Sequence, residues 1–210
     1  MEPSRRDLMR LAAIGSAAGA LLSGRASAAT TGHDTGVAAR ERIRERYFPD
    51  VILTNQDGKK FRFYEDIVKD RIVTINFFFS KCQDICPLVT HNLTRVHQLL
   101  GDKVGREIFM NSFSLKPEED TPKQLRAFVK EHGVKGKPGW NFFTGKPEDL
   151  ELLRRKLGFT NPDPKLDQDI NQHIGNVRYG NERLMLWGAC PGEARPEFIA
   201  ESINWMIRND

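Results

Sequence analysis

Apolar positions along this chain fall into short blocks, and the spacing inside each block separates strands from helices. Residues 72–79 form the apolar run IVTINFFF, which reads as a strand. Residues 107–115, EIFMNSFSL, alternate, with Phe109, Asn111 and Phe113 on one side and Ile108, Met110 and Ser112 on the other. A third short strand, WNFFTG, follows the turn-rich GVKGKPG. Helical spacing fills the gaps between these strands. Leu88, Leu93, Val96, Leu99 and Leu100 form one stripe, which stops at Gly101, a helix-ending residue. Asp120 or Thr121 can cap a helix starting at Pro122, with Leu125, Phe128 and Val129 as its buried side. A further helix runs from Pro147 through Leu157, with Leu150, Leu152, Leu153 and Leu157 apolar.

Strand and helix therefore alternate three times, which predicts an α/β fold with a mainly parallel central sheet and functional residues at the C-terminal ends of its strands. Hairpins are added on either side of this unit. In 47–64 the Asp57-Gly58 pair is a turn between two apolar or alternating runs. The segment HIGNVRYGNERLMLW reads as a second hairpin turning around Gly180 and Asn181, and a last helix is expected over 196–207. Residues 161–172 are polar, include two prolines and read as a loop. Residues 29–46 are polar and then charged, a short helix or a flexible linker that supplies little core.

The N-terminus changes the picture of where such a domain works. SRRDLMR, then LAAIGSAAGALL, then Ala26, Ser27 and Ala28 are a basic region, an apolar region and a small-residue cleavage site, so residues 1–28 read as an export signal. Arg5 and Arg6 ahead of a weakly apolar core favour the twin-arginine route. Removing the leader takes away four basic and two acidic residues, which lowers the net charge from +4 to +2. The remaining charges are dispersed and nearly balanced, which argues against a nucleic-acid partner. The domain expected over 47–210 is thus placed in the periplasm, an oxidising compartment.

That compartment gives weight to the three cysteines. The strand at 72–79 runs into SKCQDICP, which delivers Cys82 and Cys86 four residues apart. With a helix beginning near Cys82, the spacing puts both sulfurs on one helical face, about 6 Å apart by helix rise. Such a pair can close a disulfide, clamp a soft metal, or simply be buried in the core. The helix N-terminus is expected to lower the thiol pKa. Cys190, the odd one out, is an inert buried thiol, an intermolecular redox contact or a third soft ligand, and the first reading is favoured.

A strand that ends in a cysteine pair opening a helix is the thioredoxin-like arrangement, although three residues rather than two separate these cysteines. Here the chain resembles the Sco/SenC family, the copper-handling thioredoxin-fold proteins associated with assembly of cytochrome c oxidase. The resemblance rests on CQDICP with its internal aspartate, on DTP at Asp120 to Pro122, and on a lone downstream histidine, His173, and spans about residues 47–207. It implies copper as the bound metal and Cys82, Cys86 and His173 as its ligands, with Asp120 near the site. Two thiolates suit Cu(I), and one imidazole completes a three-coordinate site open to ligand exchange. Without metal, the same thiols could reduce a disulfide in an acceptor protein and resolve by pairing with each other.

The other groups have plainer readings. His33 lies in the polar N-terminal stretch, His91 and His97 lie along the flank of the helix after the thiols, and His132 ends the next helix. Asp84 is a helix-capping loop carboxylate or a modulator of the thiols, and Asp120 is first of all an N-cap. Two features depart from the family: GNVRYGNERLMLWGACPG stands where an aromatic, aspartate-turn hairpin is usual, and Cys190 is an extra thiol. The sequence thus reads as a copper metallochaperone serving an exported copper enzyme, cytochrome c oxidase first among them, and recharged by an upstream thiol reductant. No small-molecule substrate is expected. The competing reading is an enzyme, a thiol-disulfide oxidoreductase or thiol peroxidase, in which copper plays no part.

Overall fold

The strand at the centre of the sheet is β3, Ile72–Phe78, buried from Val73 onward because both of its faces are covered. In the computed structural model, which describes residues 31–82, 85–169 and 175–207, with side chains from residue 36, β3 is one of seven strands in a single sheet. Parallel neighbours β4, Ile108–Ser114, and β5, Trp140–Thr144, lie on one side of it. The hairpin of β1, Ile52–Asn55, and β2, Lys60–Arg62, adds to β5 antiparallel. On the far side of β3 a second hairpin, β6, Asn176–Asn181, and β7, Leu186–Pro191, also pairs antiparallel, giving the order β2-β1-β5-β4-β3-β6-β7. The chain thus has the expected α/β fold, its parallel core widened at each edge by a hairpin.

Six α-helices are present among the described residues: α1, Thr31–Tyr47; α2, Ile85–Leu100; α3, Pro122–Glu131; α4, Pro147–Lys156; α5, Pro164–Gln168; and α6, Pro196–Asn204. Alternation along the strands sorts the core into two layers. Ile108, Met110, Trp140 and Phe142 face α2, α3 and α6, while Val73, Ile75, Phe77, Phe113 and Phe143 face α4 and a buried π-helical turn at Phe63–Val68. The two sides read from EIFMNSFSL are the two sides found.

Several local expectations shift. The second hairpin does not turn at Gly180 and Asn181; both lie within β6, and the turn falls at 182–185. Gly180 is needed in the strand because a Cβ there would overlap the Trp187 ring across the pair. Within the loop expected over 161–172, Asp163 caps the short α5, with Pro164 as its first residue, a start signal legible in the sequence. Thr121, not Asp120, caps α3, its hydroxyl accepting from the Gln124 N–H at 3.3 Å. The stripe of α2 is also rotated: Leu88 and Leu99 are exposed, whereas Cys86, Val89, Leu93, Val96 and Leu100 are buried. Residues 31–47 adopt the helical one of the two forms read for that stretch. The proposed export signal, Asp84 and His173 lie outside the described residues.

Candidate metal and thiol site

The parallel register carries β3 and β4 to a common end, with Phe78 opposite Ser114, and the cysteine segment leaves the sheet there. Cys82 precedes α2 and Cys86 lies in its first turn, so the two thiols do not share a helical face as the sequence spacing predicted. They still meet. The Cys86 N–H donates to the Cys82 sulfur at 3.4 Å, so Cys82 accepts from a backbone donor that the helix itself leaves unpaired. Both thiols are buried, in the same apolar cluster as Val89, Tyr179 and Cys190.

Burial reverses the expected electrostatics. Removal from water pushes the Cys86 thiol well above its ordinary range, and the neighbouring Cys82 and the charge of Asp120 push the same way. A hydrogen bond with the Phe79 backbone opposes them without prevailing. The helix N-terminus therefore does not leave Cys86 as a thiolate. Cys190 is buried in β7 opposite Val177, and desolvation raises it to about 11. It behaves as the small buried hydrophobe favoured from the sequence.

Asp120 supports the site instead of capping a helix. Its carboxylate is wholly buried and accepts from the Ser114 hydroxyl at 2.6 Å and from the Ser80 N–H at 3.2 Å. It thereby ties the end of β4 to the residue after Phe79 and fixes the path into Lys81 and Cys82. Across the outside of this turn, Lys81 pairs with Glu119 at 2.8 Å. No local pattern marks Ser80 or Ser114 as partners, because the pairing arises only when β3 and β4 lie side by side.

Two anchors frame the stretch around His173. Upstream, Arg154 holds Asp167 through paired contacts of 2.7 and 2.8 Å and also bonds the Phe159 carbonyl at 3.0 Å. Downstream, Gly175 lies against Ile85 and Val89 of α2, so closely that a Cβ would overlap the Ile85 side chain. Its carbonyl accepts from the Gly192 N–H at 2.8 Å, and the Asn92 amide holds the Gly192 carbonyl at 2.9 Å. Gly175 and Gly192 were not singled out in the sequence; the second Pro-Gly, at Pro191-Gly192, was the available signal. Among the other histidines, His97 is buried rather than on a flank, its Nε2 2.9 Å from the Pro138 carbonyl and its ring stacked near Trp140. His132 caps the end of α3 with its ring against Phe128, and His91 is exposed.

Among the described residues no cluster of three His, Cys, Asp or Glu side chains could hold a metal ion. The described part of the site is a soft two-sulfur pair, which fits a thiophilic cation and fits Mg²⁺ or Ca²⁺ poorly. No helix of the described residues is long and apolar enough to cross a membrane.

The chain is similar to several known proteins. A SCO1 protein homolog of Bacillus subtilis is 33% identical over 122 residues, 56% of this chain and 61% of that protein. The chain spans less than two thirds of the length of the first curated relatives it matches. Among solved structures, a SCO1/SenC family lipoprotein of Bacillus anthracis superposes with a TM-score of 0.62 at 25% identity, covering 74% of this chain and 92% of that one. ScoI of Bradyrhizobium japonicum with copper bound gives a TM-score of 0.59 at 19% identity, covering 74% and 96%. The SCO1/SenC family model matches residues 40–208, and with a sheet that carries its paired thiols at the end of the central strand, the chain belongs to the SCO1/SenC family, with the thioredoxin-like fold of its members.

Proposed function

We propose that this protein is an exported copper carrier that holds one copper ion through Cys82, Cys86 and His173 and passes it to a copper enzyme. The observation that carries the proposal is the joint placement of the two thiols and Gly175. Gly175 packs on Ile85, the residue before Cys86, and is two residues from His173. Two residues of extended chain reach about 7 Å, so an imidazole on that stretch has the thiols within its range. The copper-bound Bradyrhizobium japonicum relative supports the choice of metal. The oxidase is the first candidate acceptor because the Sco family is linked to cytochrome c oxidase assembly.

The residues divide the work in a way their chemistry explains. Neutral thiols are inexpensive to bury, and a soft cation replaces their protons to give thiolates whose charge it neutralises in place. A third, neutral ligand on a separate chain segment can leave without disturbing the sulfurs, which suits a cargo that must be released. Asp120, through Ser80, keeps the Cys82 turn in position during the exchange. In the metal-free state the thiols can instead reduce an acceptor disulfide, an upstream thiol reductant then restoring them. Residues 1–28, read as an export signal, favour the periplasm as the place of work.

Anaerobic Cu(I) titration of the reduced protein, followed by X-ray absorption, tests the reading. The expected result is one copper with two sulfur ligands and one imidazole nitrogen, binding being lost in Cys86→Ser and weakened at least about tenfold in His173→Ala. Unchanged binding in both variants, together with catalytic turnover of an added disulfide or peroxide, would replace the carrier by a thiol enzyme.

A further inference from the structure

On the opposite side of the molecule from α2, a cavity of about 930 Å³ opens between α1, the end of α4 and the β6–β7 hairpin. Its size falls within the range of roughly 300–1,000 Å³ typical of small-molecule sites. Its wall is apolar and aromatic, with Ile43, Tyr47, Leu157 and Trp187 among the lining residues. Its charged lining is of one sign. Arg42, Arg46, Lys156 and Arg178 border it, and among the described residues no acidic side chain does. Among the described residues, none of these four cations forms an ion pair, although the chain carries 28 acidic residues and pairs several of them with other arginines.

Two donors give the cavity chemical direction. The Nε of Arg178 and the Nε1 of Trp187 are buried and donate to nothing among the described residues. Arg178 places one nitrogen on the Gly158 carbonyl at 2.7 Å, and its guanidinium lies over the Phe159 ring at 5.2 Å. An unpaired buried donor costs about 1–3 kcal/mol, more if charged, which ordinarily selects against such an arrangement. Burial without a counter-ion also lowers the pKa of Arg178. With four cations at its border and an aromatic wall, the cavity suits an acceptor that is anionic and planar enough to take a guanidinium edge, attached to an apolar body that fills the wall.

We propose that this cavity is a binding site for a free, single-chain amphiphilic carboxylate, its head group held by Arg178 and Trp187 and its apolar body lying along Tyr47 and Leu157. The site is remote from the thiol pair and does not depend on the copper reading. A cationic or neutral amphiphile of the same length would fill the wall but leave both donors unsatisfied.

Dodecanoate, kept below its micelle concentration, is the probe, and it is added to the whole chain. The readouts are the ¹⁵N-labelled indole resonance of Trp187, assigned with Trp187→Phe, and calorimetry. Saturable binding of one dodecanoate is expected, with a shifted Trp187 indole signal and affinity weakened about tenfold or more in Arg178→Met. Arg46→Gln, at an exposed rim position, should weaken binding about threefold while leaving the fold intact. Dodecanol and dodecyltrimethylammonium should bind at least about tenfold more weakly than dodecanoate. No saturable dodecanoate binding, equal affinity for the ammonium, or adsorption to phosphatidylglycerol vesicles in place of one-to-one occupancy would each overturn the proposal.

Discussion

The sheet face beneath α2 and α6 and the face beneath α4 and the π-helical turn bury similar sets of Val, Leu, Ile and Phe, yet they treat polar groups in opposite ways. On the first face the reactive groups are buried cysteines, small side chains that cost little to bury and need few partners. Beside the second face, the wholly buried carboxylate of Glu182 is surrounded by donors: the Tyr64 hydroxyl at 2.9 Å, the Asp70 N–H at 2.8 Å and the Arg40 guanidinium. Burial alone would raise the pKa of Glu182, but the hydrogen bonds from Arg40, Asp70 and Tyr64 prevail and hold it below the usual carboxylate range. A group locked by four bonds is structural. A thiol pair held by neutral backbone hydrogen bonds can exchange its protons for a metal or for a sulfur bond.

The largest test of this contrast is Glu182→Ala, which strands the Tyr64 hydroxyl and the Asp70 N–H and frees Arg40. It should cost about 3 kcal/mol of stability in urea unfolding. Copper binding by the folded fraction should not change. A loss below about 1 kcal/mol would place Glu182 with ordinary surface ion pairs and remove the contrast.

Gly175→Val sharpens the other side. The added methyl groups must displace the Ile85 side chain, a flexible obstacle, so the stability cost should be near 1.5 kcal/mol. The effect on the thiol site should be greater, with Cu(I) affinity falling about tenfold as the segment after His173 is pushed away from α2. Combining it with Ile85→Ala should restore most of that affinity. Equal loss in the single and double variants would show that the packing of Gly175 on α2 is irrelevant to the site.

The smallest effect concerns acid. Contacts from Arg154, chiefly, and from the Asn161 N–H hold the Asp167 carboxyl down to about 2, against the burial that opposes them. Its contribution is therefore complete above the ordinary carboxylate range near 4 and is lost as the pH falls towards 2. Discounted for partial exposure it is worth about 1 kcal/mol, and Arg154→Gln should remove that share of the pH dependence from thermal unfolding curves. A variant with an unchanged acid limb would assign the acid sensitivity to Glu182, whose shift has the same sign.

Much of this architecture was legible along the chain because it depends on short-range periodicity. The runs at 72–79 and 107–115 announced β3 and β4, including which side of β4 each residue faces, and Asp57-Gly58 marked the first hairpin turn. Where the structure departs from local pattern, a long-range contact has the deciding role. Gly180 has the character of a turn residue, but Trp187 occupies the space its side chain would take, and α6 packs against α2 and so sets which of its residues are buried.

The sequence by itself determined the fold class, the thiol pair and its family, since these reside in local pattern and in a contiguous motif. Tertiary structure alone decided the burial and surroundings of the thiols, the partnership of Asp120 with Ser80 and Ser114, and the cationic cavity under α1. Desolvation and hydrogen bonding depend on which atoms exclude water from one another. Residues distant in sequence settle that only when the sheet brings them together.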